Sequence, residues 1–137
     1  MKNLIYLFVI FLITVFYGCS GGSGKSAVGI GGVQDSTTIV FLNDLHDFGD
    51  LKNDESVACS FKFTNEGKKP LLIRDVTAGC GCTNVKYPLK PVGAGKSGTI
   101  DVSYNTRGKH GHQRQMINVY SNGSEEPVML VIRANVQ

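Results

Sequence analysis

The chain has 137 residues, enough for one folded domain, with an ordinary apolar content and no Trp. There are 14 Lys and Arg against 11 Asp and Glu; removal of an N-terminal export segment carrying Lys2 leaves 13 against 11. So small an excess, spread along the chain, argues against nucleic acid or another polyanion as partner.

The first element is an export signal, residues 1–18. Lys2 supplies a short positive region, and Leu4 to Phe16 is almost purely apolar. As a helix this run spans roughly 20 Å at about 1.5 Å per residue, short of the ~20 residues a bilayer needs, and fits a signal-peptide core. Phe16-Tyr17-Gly18-Cys19 follows and resembles the bacterial lipobox, with bulkier first positions than usual. Cys19 is therefore the expected lipidation site: its thiol would carry diacylglycerol, and a second acyl chain on the new amino terminus would make the anchor stable. The alternative is a plain secretory signal with an incidental Cys. Residues 19–35, rich in Gly and Ser, are the expected tether, reaching on the order of 20 Å from a membrane.

Residues 36–137 are the expected folded domain, all-β throughout. Thr37 to Leu42 is a first strand. His46-Asp47-Phe48-Gly49 follows, with Phe48 a core candidate. Val57, Cys59, Phe61 and Phe63 alternate with Ala58, Ser60, Lys62 and Thr64, the two-residue period of a half-buried strand. Asn65-Glu66-Gly67 turns the chain. Leu71-Leu72-Ile73 begins a further strand whose phase breaks before Val76, the mark of a bulge. Ile100, Val102 and Tyr104 share one face, as do Gln115, Ile117 and Val119. Ser121-Asn122-Gly123-Ser124 is a turn, and Val128 to Val136 closes the chain as a last alternating strand. About seven short strands with regular turns predict a single immunoglobulin-like β-sandwich. It would lack the antibody-type core, since no Trp is present and the Gln113–Tyr120 strand has no Cys to pair with Cys59.

His46-Asp47-Phe48-Gly49, Phe61-Lys62-Phe63-Thr64-Asn65-Glu66-Gly67, Pro70-Leu71-Leu72-Ile73, Cys80-Gly81-Cys82-Thr83, Gly95-Lys96-Ser97-Gly98 and Val119-Tyr120-Ser121-Asn122 stand in the order expected of one family. The stretch from Ile39 to Val136 resembles the bacterial domain-of-unknown-function family 1573. The resemblance implies an immunoglobulin-like sandwich related in layout to major-sperm-protein and Hydin-type modules, frequent in envelope lipoproteins. It implies no established activity.

Cys80-Gly81-Cys82 is the main chemical candidate. Two thiols one residue apart in an oxidising compartment can close a very small disulfide ring, and Gly81 is expected to supply the tight backbone. Strained, exposed disulfides are labile, so the pair is either redox-active or a turn-closing bridge. Cys59, in phase with Val57 and Phe61, is expected to face the core as a small hydrophobe. A bond from Cys59 to Cys80 or Cys82 would close a loop of roughly 20 residues and add about 3 kcal/mol. With three thiols in the domain the pairing stays open.

Cys80 and Cys82 with His110 and His112 would make a two-sulfur, two-nitrogen set suited to Zn or Cu(I). A one-residue spacer is not a zinc knuckle, and a polar loop accounts for the histidines. The expectation is therefore no metal and no cofactor. His46 and Asp47 are adjacent and point to opposite faces of a strand, so no dyad is expected. Gly24-Lys25-Ser26 and Gly95-Lys96-Ser97 lack the earlier Gly of a phosphate loop, Cys19 and Lys90 standing there. Lys68, Lys69, Lys86, Lys90, Lys96, Arg107, Lys109 and Arg114 give the loops a mildly basic character, read as solvated edge charge.

The expected function is a non-enzymatic module held at the cell envelope by its lipid anchor, facing the periplasm from the outer membrane. It would bind or scaffold an envelope protein partner through unpaired strand edges. The alternative is thiol redox or copper handling through Cys80 and Cys82.

Overall fold

The computed structural model describes residues 37–137. The expected export signal, the expected lipidation site Cys19 and the expected Gly/Ser-rich tether lie outside the described residues. Eight strands follow one another: β1 (Ile39–Phe41), β2 (Leu45–Leu51), β3 (Ser56–Asn65), β4 (Ile73–Ala78), β5 (Thr83–Lys86), β6 (Ser97–Asn105), β7 (Gly111–Ser121) and β8 (Val128–Val136). They form two four-stranded sheets, β1-β3-β6-β5 and β2-β8-β7-β4. Their inward faces bury one apolar core, the arrangement of an immunoglobulin-like β-sandwich.

The count is eight strands where the sequence pattern predicts about seven. The strand without a clear sequence signal is β5. It is four residues long, and its inward positions are Thr83 and the half-buried Val85, so it carries almost no apolar alternation. β1 is shorter than the predicted Thr37–Leu42 stretch. Leu71 lies outside β4 and makes a lone antiparallel bridge to Val92. The expected break of phase before Val76 is present as a register shift between Ile73 and Asp75 against β7. β2 is the one parallel neighbour among these strands: it runs alongside β8, with a second shift between Asp47 and Asp50 where Gly49 takes a φ of +69°.

Alternation decides what is buried. Phe61 and Phe63 on β3, Ile100, Val102 and Tyr104 on β6, Ile117 and Val119 on β7, and Leu130, Ile132, Ala134 and Val136 on β8 all turn inward. Each such aliphatic or Phe side chain contributes about 1.5–3 kcal/mol when fully buried. Phe63 sits opposite Gly98 in the β3–β6 ladder. A methyl group on Gly98 would come 2.5 Å from Phe63 Cζ, so the ring occupies the space that any side chain there would fill. Phe41 packs on the same ring, with centroids 5.6 Å apart.

Three buried or turn-forming polar side chains tie the strand ends together. Asn65 is fully buried and makes four hydrogen bonds. Its Nδ2 donates to the carbonyls of Lys69 and Val92, and its Oδ1 accepts from Thr37 Oγ1 and the Gly67 amide. That is the whole capacity of a carboxamide. Thr106 Oγ1 donates to the Lys52 carbonyl and accepts the Glu55 amide, closing the β2–β3 turn onto the end of β6. Asn122 accepts from the Leu72 amide and donates to the Pro70 carbonyl. In this way the β7–β8 turn grips the segment that leads into β4.

Candidate functional site

The chain leaves the second sheet after β4 and enters the first at β5, and Cys80 and Cys82 form a disulfide at that corner. Their Cα atoms are 5.2 Å apart, within the usual range for a bridge. Both cysteines are half-buried and Gly81 is exposed. The corner is held on three sides: the Thr83 amide donates to the Cys80 carbonyl, the Asn105 amide to the Cys82 carbonyl, and the Gly79 amide to the Met116 carbonyl. Thr83 Oγ1 lies 3.5 Å from Cys80 Sγ. Gly81 does not have a left-handed backbone, and a Cβ built on it meets nothing within 4 Å. The freedom expected of Gly81 is not used here: an ordinary residue fits.

Cys59 stays free. It lies opposite Val102 in the β3–β6 ladder, in mid-strand, while Cys80 and Cys82 are bonded to each other at the corner. The expected inward orientation holds: Cys59 shares the face of Phe61 and Phe63 and packs half-buried against the core. Burial, with the Asp101 carboxylate adding to it, pushes its thiol up to about 11, which keeps it protonated and a poor nucleophile near neutral pH.

The other candidates are not assembled into a site. The His46 ring packs edge-on against Phe48 at 4.5 Å, while Asp47 Oδ1 accepts the Gly49 amide. Phe48 is half-buried and packs against the core without being part of its buried centre, a correction to its expected core position. His110 and His112 stand at the start of β7. Among the described residues no group of three or more His, Cys, Asp or Glu is placed to hold a metal ion, so Cys80, Cys82, His110 and His112 are not brought together.

β1 is not among the sites the sequence predicts. Ile39 and Phe41 pack against the core, yet the outward Val40 and Leu42 are apolar as well, 39% and 75% exposed. β1 has β3 on one side only. Leu42 donates to Lys62 and Thr38 accepts from Glu66, so even-numbered residues face β3. By alternation the amides and carbonyls of Ile39 and Phe41 point to the open side. Concavities flank the strand, about 350 Å³ bordered by Val40, Leu42 and Lys62, and about 480 Å³ reaching from Ile39 to Val128. The signal in the sequence is the unbroken apolar run Ile39-Val40-Phe41-Leu42, where a strand with one wet face would alternate.

The model of the family described as Protein of unknown function (DUF1573) matches residues 39–136. The chain belongs to this family. Among curated proteins, none matches it. Solved structures similar to this DUF1573 chain include a protein of unknown function from Porphyromonas gingivalis W83, at 15% identity and a TM-score of 0.64, with 73% of this chain and 47% of that chain covered. A second is the ASH / PapD-like domain 7 of human CEP192, at 9% identity and 0.61, covering 75% and 87%. A third is the secreted serine protease VesC of Vibrio cholerae, at 14% and 0.58, covering 72% and 23%. The DUF1573 chain thus spans about half of the Porphyromonas protein and a quarter of VesC. At these identities the likeness establishes the fold, an immunoglobulin-like β-sandwich, and nothing more.

Proposed function

We propose that this protein is a non-enzymatic binding module, tethered to the cell envelope through a lipid on Cys19, that takes up an extended segment of an envelope protein along β1. The carrying observation is the β1 edge: backbone groups of Ile39 and Phe41 open on one side, with apolar Val40 and Leu42 and a concavity on either flank. Main-chain hydrogen bonds would give such a complex its affinity, and the flanking hollows would select alternate side chains. The apolar leader, the Gly18-Cys19 junction and the Gly/Ser-rich residues 19–35 support the anchor and the workplace, with the periplasmic face of the outer membrane as the assigned location.

Affinity capture from cross-linked intact envelopes tests the partner. A defined envelope protein recovered with wild type and lost with Val40→Lys and Leu42→Lys is the expected result, since edge lysines oppose strand addition. Equal recovery with both variants overturns the edge as the site. Incorporation of labelled palmitate at Cys19, absent in Cys19→Ala, tests the anchor.

The half-buried Cys80–Cys82 bridge favours a second reading, thiol exchange with a partner dithiol. A partner thiolate attacks one sulfur, the Cys80–Cys82 bond breaks and a mixed disulfide forms. The second partner thiol then resolves it, leaving the partner oxidised and both cysteines reduced. Alkylation and mass spectrometry across a glutathione series test this; a pair that stays in one redox state throughout removes it.

A further inference from the structure

The two ends of the β1 edge differ in charge. β1 runs antiparallel to β3, with Phe41 opposite Phe63, Val40 opposite Thr64 and Ile39 opposite Asn65. The register continues at both ends, where the Leu42 amide donates to the Lys62 carbonyl and the Glu66 amide to the Thr38 carbonyl. Lys62 at the Leu42 end and Glu66 at the Thr38 end are the two charged residues bordering the concavity of about 350 Å³, and both are exposed. Lys68, Lys69 and Lys96 belong to the turns beyond the ends of β3 and β6 and do not border it. Asp44, the one charged residue at the other concavity, lies in the turn into β2, where its carbonyl accepts the Val131 amide.

A strand flanked by a cation at one end and an anion at the other is complementary to itself in antiparallel. Centred on Val40, such a mate sets Leu42 opposite Thr38 of the second copy and Ile39 opposite its Phe41. The open-side amides and carbonyls are those of Ile39 and Phe41, so each of these Ile39–Phe41 pairs exchanges both of its hydrogen bonds. Val40 meets Val40 at the centre as a close, non-hydrogen-bonded pair. The same register aligns Lys62 and Leu42 with Thr38 and Glu66 of the second copy in one row, which the symmetry repeats. Three strand spacings put the backbones of that Lys62 and Glu66 about 14 Å apart. Their side chains reach towards each other, within the ~10 Å over which charges act at 0.1 M salt. Sliding the mate to the next hydrogen-bonding register sets Lys62 or Glu66 against Thr64, so the centred register is the one that pairs the charges.

We infer that the extended segment taken up at β1 is β1 of a second copy of this chain, joined in antiparallel about a two-fold axis at Val40. The inference rests on the reading of β1 as a strand-accepting edge and names the partner. The first sheets of the two copies become one continuous sheet. Such a contact is isologous and closed: it covers Val40 and Leu42 of both copies and leaves no β1 edge for further growth. β1 has three residues, so the contact is short and weak in dilute solution. Anchors on one lipid surface raise the effective concentration of the two copies, and intact envelopes are therefore the place to test it.

The test is cysteine cross-linking of the full chain in intact envelopes, in a Cys59→Ser background with copper phenanthroline as oxidant. Cys80 and Cys82 stay bonded to each other, and the background chain without an added cysteine is the blank. Facing residues of a non-hydrogen-bonded pair lie about 4.5 Å apart at Cα, within disulfide range. Val40→Cys is expected to give a disulfide-linked dimer. Thr38→Cys and Leu42→Cys are expected to link when co-expressed and to stay monomeric when expressed singly. Lys62→Glu sets carboxylate against carboxylate in both rows and is expected to slow cross-linking at Val40→Cys several-fold. Adding Glu66→Lys exchanges the charges and is expected to restore it, a rescue that a merely structural role for either residue does not give. No Val40→Cys dimer above the blank, linking of Leu42→Cys alone as strong as the mixed pair, or no rescue by the charge exchange overturns the inference. Capture with wild type and Val40→Lys separates the two claims. A different envelope protein captured by wild type and lost with Val40→Lys, without a Val40→Cys dimer, keeps the edge and removes the second copy as its occupant. No capture and no dimer removes both.

Discussion

The Asn65 side-chain amide donates to the Val92 carbonyl at 2.9 Å, and the Leu71 amide donates to the same carbonyl at 2.8 Å. One peptide group between β5 and β6 thus anchors both the end of β3 and the segment entering β4. The Asn-x-Gly turn is in consequence a structural joint, with every polar atom of its Asn consumed by the fold.

Asn65→Ala takes the partner from the buried Thr37 hydroxyl, the Gly67 amide and the Lys69 carbonyl, and leaves the Val92 carbonyl with the Leu71 amide alone. The expected loss is about 3 kcal/mol, since each orphaned buried group costs about 1–3 kcal/mol and some regain water. Urea unfolding checks this through a lowered midpoint at unchanged slope. A midpoint equal to wild type would show that the joint is dispensable.

Tyr104 points the other way. Its hydroxyl is buried without a hydrogen-bond partner among the described residues; the Gln115 side chain faces it without reaching bonding geometry, and burial raises the phenol above its ordinary range. Tyr104→Phe removes that uncompensated group and keeps the ring. The expected gain is up to about 1 kcal/mol, visible as a higher melting temperature.

Two glycines separate by the space around them. Gly98→Ala drives a methyl into the Phe63 ring and is expected to cost about 1–3 kcal/mol, as overpacking does. Gly81→Ala enters open space at an ordinary backbone angle and is expected to leave stability within about 0.5 kcal/mol. Intact mass under non-reducing conditions should still report the Cys80–Cys82 bridge.

The cysteines differ in reactivity. Reducing the Cys80–Cys82 bridge opens only a very small ring, so the expected loss is about 1–2 kcal/mol by loop entropy. Cys59, pushed up to about 11 by burial and Asp101, should alkylate slowly at neutral pH and faster as pH climbs towards 11. Its folded form holds the proton where the unfolded chain has already released it. Cys59 therefore lowers stability as pH rises from the ordinary thiol range to about 11, and contributes nothing to pH dependence below that range. Cys59→Ser should flatten that alkaline decline in an unfolding series.

The inward faces of β3, β6 and β8 were legible in the sequence because each alternates apolar and polar residues over at least four positions, and that of β7 from the shorter Ile117-Asn118-Val119 stretch. Alternation fixes a face but not a neighbour. The parallel pairing of β2 with β8, and the division of β1 and β2 between two sheets, come from long-range packing and leave no local mark. β5 was hidden by its length and by Thr83 at an inward position. The bonded thiols could not be read from spacing alone, because Cys59, Cys80 and Cys82 each had a plausible partner until register placed Cys59 in mid-strand. The sequence marks Arg114 as loop charge, whereas it stands within β7, directly across from Arg133 in the β7–β8 ladder. Val40 and Leu42 were legible as apolar, but their meaning depends on β1 being an edge.

Site-specific photo-cross-linking in intact cells tests the central claim most directly. The photoreactive residue is placed in turn at Leu42 on the β1 edge and at Leu89. Leu89 is as exposed as Leu42, at 79% against 75%, and lies off that edge. A discrete adduct of defined mass at Leu42, with none at Leu89, is the predicted outcome. Equal labelling at Leu42 and Leu89, or no adduct at Leu42, would contradict a binding module built on this strand.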